Sequence, residues 1–123
     1  MAKILVVDDE PALRELLKEY LELDGHSVEM AENGMDGLAK LRAGHFQLVT
    51  LDVQMPLLSG RETLKLIRRD PKLVKIPVLM CTARDMTAEL DAAFEDGATG
   101  YIVKPFNYAS LQKSVAKALS APV

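Results

Sequence analysis

Short apolar runs alternate five times with helical patterns along the chain, and this alternation constrains the fold more than any other feature. The runs KILVV (3–7) and QLVTL (47–51) are almost wholly apolar, as is typical of parallel strands covered on both faces. Strands that alternate with helices predict a parallel sheet with helices packed on both sides. We therefore expect an α/β fold with five helices and the flavodoxin-like strand order 2-1-3-4-5.

Helix-start signals support the same division of the chain. Pro11 suits the first turn of a helix, and Asn33 and Asn107 each precede a helical pattern. Ser59 with Glu62 three residues later predicts a capping box at the start of the third helix. The remaining strands are predicted at HSVEM (26–30), IPVLMCT (76–82) and GYIV (100–103).

Composition indicates an ordinary soluble globular chain. Hydrophobic residues make up 49% and charged residues 27% of the 123 residues, which predicts one domain over 1–123. The net charge of −3 gives no footprint for nonspecific binding of nucleic acid. The apolar runs are strand-sized, and acids occupy the N-terminal stretch that a signal peptide keeps apolar. We expect a cytoplasmic protein without membrane contact.

Polar side chains follow four of the predicted strands. Asp8 and Asp9 follow the first strand, Asp52 the third, Thr82 the fourth and Lys104 the fifth. Ligands of open α/β sheets bind beyond the carboxyl ends of the strands, where the strand order reverses. Each of these residues alone would be an ordinary loop or surface side chain. Together they predict one site, at the sheet edge near strands 1 and 3.

Three carboxylates at one edge repel each other, because each raises the pKa of the others. A divalent cation removes the conflict, and Mg²⁺ suits one or two carboxylates together with a phosphate. A carboxylate can also attack phosphorus to give an aspartyl phosphate. Lys104 would supply a point charge and Thr82 a hydroxyl donor. The pattern predicts Mg²⁺-dependent phosphoryl chemistry.

Four motifs carry a resemblance to a known family. They are LVVDDEP, LDVQMPLLSG, CTA and GYIVKPF, and they span nearly the whole chain. In this order they resemble the receiver domains of response regulators, the phosphoacceptor modules of two-component signalling. Among these domains the chain is similar to the single-domain chemotaxis regulators.

The resemblance implies a role for each residue of the site. Asp52 is the phosphoacceptor, Asp9 a direct Mg²⁺ ligand, and Asp8 a support for the metal through water. The backbone carbonyl of Gln54 completes the protein ligands. Lys104 contacts the phosphoryl group and the carboxylates.

The resemblance also implies a switch. The hydroxyl of Thr82 moves towards the phosphoryl group while the ring of Tyr101 turns inward. Gln54 and Arg84 occupy positions that tune the lifetime of the phosphoryl group. The Lys104–Pro105 peptide bond is expected to be cis, which aims the lysine at the acids.

These roles predict a phosphorylation-controlled signalling switch. A histidine kinase or phosphotransfer protein donates the phosphoryl group, and the face made by helix 4, strand 5 and helix 5 then changes its binding of a partner. The chain would catalyse only its own phosphorylation and dephosphorylation. The stretch ATG (98–100) lacks the acidic pair common in receivers that dimerise through this face. We therefore expect a monomer that does not bind nucleic acid directly.

Two other classes remain as alternatives. A phosphohydrolase that works through an aspartyl phosphate typically has a second acid two residues after its nucleophile, where this chain has Gln54. A flavin or nucleotide carrier of this fold would need a phosphate-binding loop after strand 1, where DDEPALRE begins with three acids. Acids at that position repel anions in the absence of a metal.

Overall fold

A computed structural model describes residues 2–83 and 88–120, without the side chains of residues 88 and 89. In this part of the chain a parallel sheet has the order β2-β1-β3-β4-β5, which confirms the predicted topology. The strands are β1 Lys3–Val7, β2 Ser27–Ala31, β3 Leu48–Asp52, β4 Val78–Ala83 and β5 Gly100–Lys104. The helices are α1 Pro11–Leu23, α2 Gly34–Ala43, α3 Gly60–Arg69, α4 Ala88–Glu95 and α5 Tyr108–Leu119.

Helix starts follow the local signals in the sequence. The Asn33 side chain accepts a hydrogen bond from the Asp36 amide at 2.8 Å. Ser59 and Glu62 form the predicted capping box of α3, and Asn107 caps α5. Side-chain acceptors at these positions satisfy amides that have no partner within the helix, so α2, α3 and α5 each begin directly after a capping residue.

The strands β1, β3 and β4 each contribute to two hydrophobic layers. Leu5 and Val7 of β1 pack on the side of α2, α3 and α4, whereas Ile4 and Val6 pack on the side of α1 and α5. Successive strand residues point to opposite faces. Burial on both faces explains why the strand sequences are continuously apolar rather than alternating.

The bounds of β2, β3, β4 and β5 differ from the prediction by one or two residues. The fourth strand begins at Val78 rather than at Ile76, since Pro77 has no amide hydrogen to donate to a neighbouring strand. The third strand includes Asp52, which lies opposite Cys81 in the register. The acid is therefore held by the sheet itself. No helix of the described residues has the length and apolar character needed to cross a membrane.

Candidate functional site

An open cavity of about 750 Å³ lies at the carboxyl edge of the sheet. It is bordered by the ends of β3, β4 and β5, the loop after β1, and the start of α3. Its lining includes Asp9, Asp52, Gln54, Thr82 and Lys104. The strand order therefore gathers the residues that the sequence predicted for this edge, although they lie far apart along the chain.

Three carboxylates converge beside this cavity. One oxygen from each of Asp8, Asp9 and Asp52 lies within 4.8 Å of the other two. Asp8 and Asp52 are buried, whereas Asp9 is exposed. Oxygen donors at this spacing, with one side open to solvent, fit a hard divalent cation that retains water molecules. The residues present thus match the predicted Mg²⁺ site.

Lys104 contacts two of these acids from the end of β5. Its Nζ atom lies 3.4 Å from Asp8 Oδ2 and 3.3 Å from Asp52 Oδ1. Burial opposes the charge of the lysine, but the charges of Asp52 and Asp8 outweigh that effect and raise its pKa. The Lys104–Pro105 peptide bond is cis, which confirms the expectation from the resemblance. The two distances place a charged ammonium group against the acids.

The environment of Asp52 works against its ionisation. Burial, and secondly the charge of Asp8, raise the pKa of Asp52 from 3.8 to about 7. Lys104 and the amide of Gln54, which lies 3.3 Å from Asp52 Oδ1, oppose this rise in pKa. A carboxyl with such a pKa is substantially protonated at neutral pH, and a bound cation would favour its charged form.

Asp8 is fixed by contacts on every side. Its Oδ1 accepts a hydrogen bond from the Glu10 amide at 2.9 Å, and its own amide donates to the carbonyl of Ala31 at 3.1 Å. The guanidinium of Arg14 donates to the Asp8 carbonyl at 2.7 Å. Sequence reasoning missed Arg14. The signal was an arginine about one turn into the helix that follows the acids.

The start of α3 forms a wall of the cavity that the sequence analysis also missed. Gly60 lies directly against the end of β3, because a Cβ atom there would stand 2.1 Å from the Asp52 carbonyl oxygen. Arg61, Glu62 and Lys65 line the cavity from the same helix. A glycine directly after the Ser59 cap was the available signal for this close approach.

The two residues predicted as a switch lie on adjacent strands and differ in burial. Thr82 is buried in β4, and its hydroxyl donates to the Ala83 carbonyl at 3.3 Å. The Tyr101 side chain on β5 is 46% exposed, and its ring packs edge-on against Phe94 with centroids 6.1 Å apart. The ring therefore lies on the outer face, and the hydroxyl of Thr82 is bonded to its own strand.

The structure describes one of the two positions that were predicted to tune the phosphoryl lifetime. Gln54 is exposed and lines the cavity next to Asp52. Arg84 lies outside the described residues. The prediction for both positions stays a prediction.

The chain is similar to proteins of a known family. A model of the family described as "response regulator receiver domain" matches residues 4–116. The chain is 39% identical over 116 residues to chemotaxis protein CheY-3 of Vibrio cholerae, which covers 94% of this chain and 89% of that protein. It is also 48% identical over 107 residues to the transcriptional regulatory protein CpxR homolog of Haemophilus influenzae. That match covers 87% of this chain but only 45% of the relative.

Solved structures have the same architecture. Chemotaxis protein CheY4 of Vibrio cholerae superimposes with a TM-score of 0.90 at 35% identity, covering 96% of this chain and 98% of that one. A putative response regulator from Chloroflexus aurantiacus gives a TM-score of 0.92 at 31% identity, with 98% of both chains covered. Given the family match over nearly its whole length and the acids gathered at one sheet edge, this chain belongs to the response regulator receiver domain family.

Proposed function

We propose that this chain is a phosphorylation-controlled switch in which Asp52 accepts a phosphoryl group from a phosphohistidine. The donor is a histidine kinase or a phosphotransfer protein. The observation that carries the proposal is the position of Asp52, which lies within 4.8 Å of two further carboxylates and 3.3 Å from Lys104. Family membership implies phosphorylation-dependent signalling, and this arrangement supports the assignment of the acceptor.

Four groups are proposed to hold Mg²⁺. They are the carboxylates of Asp8, Asp9 and Asp52 and the backbone carbonyl of Gln54. When bound, the ion neutralises negative charge on the acceptor and on phosphoryl oxygens. Asp9 is the most exposed of the three acids, which suits a ligand that binds the metal directly from the solvent side.

The chain's own residues position the reactants. A carboxylate oxygen of Asp52 forms the new bond to phosphorus as the bond between phosphorus and the imidazole nitrogen breaks, and its electron pair stays on the imidazole. Lys104 stabilises the charge on the phosphoryl oxygens, as phosphoryl transfer depends mainly on positioning and on electrostatic stabilisation. The hydroxyl of Thr82 donates a hydrogen bond to the product, which requires it to leave the Ala83 carbonyl.

The proposed output is a change of the face formed by α4, β5 and α5. Phosphorylation adds a charge of about −1.5 to −2 and three strong acceptor oxygens. Movement of Thr82 towards that charge vacates space beside β5, and Tyr101 is large enough to fill it. The half-exposed ring of Tyr101 would then turn inward and alter the surface that a partner binds.

The proposal also covers the extent, the oligomeric state and the location of the domain. We propose one receiver domain over 1–123 that acts as a monomer in the cytoplasm and contacts neither membrane nor nucleic acid directly. It catalyses only its own phosphorylation and dephosphorylation, with the rate of loss tuned at Gln54 and Arg84. The polar amide of Gln54, where a phosphohydrolase would carry a second acid, favours a switch over an enzyme.

Intact mass spectrometry after incubation with Mg²⁺ and phosphoramidate tests the proposal. The parent chain should gain the mass of one phosphoryl group, and Asp52→Asn should gain none while folding normally. A stably labelled Asp52→Asn protein would show that another residue is the acceptor. Turnover of phosphate esters would favour the phosphohydrolase, and a yellow purified protein would favour the flavin carrier.

A further inference from the structure

Arg14, one turn into α1, makes a hydrogen bond that no step of the proposed phosphoryl transfer uses. Its Nη1 atom donates to the carbonyl oxygen of Asp8 at 2.7 Å. Among the residues that the structure describes, no carboxylate forms an ion pair with Arg14. The base that contacts the carboxylates of the site is Lys104. Arg14 therefore acts on the backbone of the acid cluster rather than on its side chains.

The carbonyl that Arg14 contacts belongs to the peptide group between Asp8 and Asp9. Because a peptide group is planar, the place of this oxygen fixes where the Cα atom of Asp9 lies. The Asp8 end of the group is held separately, since the Asp8 amide donates to the Ala31 carbonyl at 3.1 Å. Arg14 completes the restraint, and it links the end of β1 to the first turn of α1.

Asp9 depends on this backbone restraint more than Asp8 does. Asp8 is buried, and its Oδ1 accepts a hydrogen bond from the Glu10 amide at 2.9 Å. Asp9 is exposed, and in the described part of the chain its carboxylate has no hydrogen-bond or ion-pair partner. The backbone is thus what keeps the Asp9 carboxylate beside the other two acids.

We infer that Arg14 is a positioning residue for the Mg²⁺ site, and that it holds the Asp8–Asp9 peptide group where the two carboxylates meet Asp52. This inference rests on the proposed function. One oxygen of each acid lies within 4.8 Å of the other two. Mg²⁺ demands a nearly ideal octahedron of ligands, so displacement of Asp9 weakens its binding. Loss of a group that orients metal ligands typically lowers metal affinity about 10- to 100-fold.

The charge of Arg14 by itself would act in the opposite direction. A guanidinium beside the acids repels a divalent cation, so its removal should strengthen Mg²⁺ binding if charge decided the outcome. Added salt would reduce that repulsion, whereas it does not replace a lost hydrogen bond. The sign of the change in Mg²⁺ affinity therefore separates positioning from charge.

Three variants test the two effects. Arg14→Met keeps an unbranched side chain but removes both the donor and the charge. Arg14→Lys keeps the charge and a donor, which should suffice because one nitrogen of Arg14 makes the bond. Arg69→Met is the matched control, because it removes the same charge from an exposed residue at the end of α3 away from Gly60 and the cavity.

Amide NMR during titration with MgCl₂, without a phosphodonor, measures the Mg²⁺ dissociation constant of each chain. Arg14→Met should raise this constant about tenfold, Arg14→Lys should stay within about threefold of the parent, and Arg69→Met within about twofold. The ratio of Arg14→Met to the parent should persist when KCl is added. Only folded molecules give these signals, so a variant that merely lost stability would keep the dissociation constant of the parent.

Three results would overturn the inference. Equal dissociation constants for Arg14→Met and the parent would show that Arg14 does not position the metal ligands. Tighter binding by Arg14→Met would show that charge decides. A loss of affinity that Arg14→Lys shares in full would show that the effect does not come from this hydrogen bond. A parent that binds Mg²⁺ but gains no phosphoryl group from phosphoramidate would contradict the proposed function and leave the role of Arg14 standing.

Discussion

The cavity at the sheet edge and the outer face of β5 are built in opposite ways. Beside the cavity, Asp8 is hydrogen-bonded to the backbone of Glu10 and Ala31 and to the Arg14 guanidinium, and it contacts Lys104. Gly60 packs against the backbone of β3. On the outer face, Phe94 and Tyr101 are 44% and 46% exposed beside an open groove of about 660 Å³. The proposed phosphoryl transfer to Asp52 needs fixed groups, whereas the proposed output needs side chains that can repack.

The chain just after helix α4 is hydrogen-bonded to α3. Arg61 Nε lies 3.1 Å from Asp96 Oδ2, and Arg68 Nε donates to the Gly97 carbonyl at 2.9 Å. Arg68 also donates to the carbonyls of Val74 and Ile76. We therefore expect the response to phosphorylation to be small at this end of α4 and larger along β5.

The largest expected effect comes from the unfavourable ionisation of Asp52 in the folded chain. Since the pKa of Asp52 is raised from 3.8 to about 7, the folded chain binds more protons than the unfolded chain between these values. The free energy of unfolding without metal should fall as pH rises from about 4 to 7 and then level off. Asp52→Asn should remove this fall and stabilise the fold at pH 8 by up to ~4 kcal/mol, at about 1.4 kcal/mol per pKa unit.

Urea unfolding at several pH values, without divalent cations, measures this effect. Asp91→Asn is the control, since Asp91 is exposed on α4, and it should keep the parent's pH dependence. If the parent chain became more stable between pH 4 and 7 and Asp52→Asn followed the same curve, the raised pKa of Asp52 would be contradicted.

The second effect concerns the tight packing under the cavity. Gly60→Ala places a Cβ atom 2.1 Å from a backbone oxygen of β3, and overpacking of this kind costs about 3 kcal/mol. Gly44→Ala is the matched control, because its nearest neighbour is the Phe46 side chain at 3.1 Å, which can move. Equal midpoints in urea unfolding for the two variants would contradict the claim that the cavity wall is rigid.

The third effect tests whether the outer face responds through Thr82. Thr82→Ala should still accept a phosphoryl group at Asp52 but lose most of the change along β5, a coupling of about 1–3 kcal/mol. Amide NMR of parent and variant, each with and without beryllofluoride as a phosphoryl mimic, makes the measurement. A full set of shifts over residues 98–103 in Thr82→Ala would exclude this route.

The smallest expected effect concerns the exposed acid. Asp9→Ala should change the free energy of unfolding without metal by less than about 1 kcal/mol, towards higher stability because repulsion within the acid cluster falls. The gain in melting temperature on adding Mg²⁺ should shrink markedly. Glu10→Ala, which removes an exposed neighbouring acid outside the cluster, should keep that gain. A melting temperature of metal-free Asp9→Ala below that of the parent would contradict the claim that the three acids repel each other.

Most of the fold could be predicted because its signals are local. Apolar runs and caps such as Ser59 with Glu62 mark the strands and helices. The rule that strands alternating with helices form a parallel sheet then predicts their arrangement. The same rule placed Asp52, Thr82 and Lys104 at one edge without any knowledge of their contacts. The start of β4 was misplaced by two residues, because the apolar run begins before Pro77 whereas the pairing begins after it.

The sequence by itself determined the five strand–helix units, their order in the sheet and the edge at which the acids meet, since these follow from periodicity and topology. Only the tertiary structure decided the raised pKa of Asp52, the hydrogen bond from Arg14 to the Asp8 carbonyl and the left-handed backbone of Leu57, whose φ angle is +71°. Each of these depends on burial, distance or a backbone angle. Such quantities are set by residues distant in sequence, and no local pattern records them.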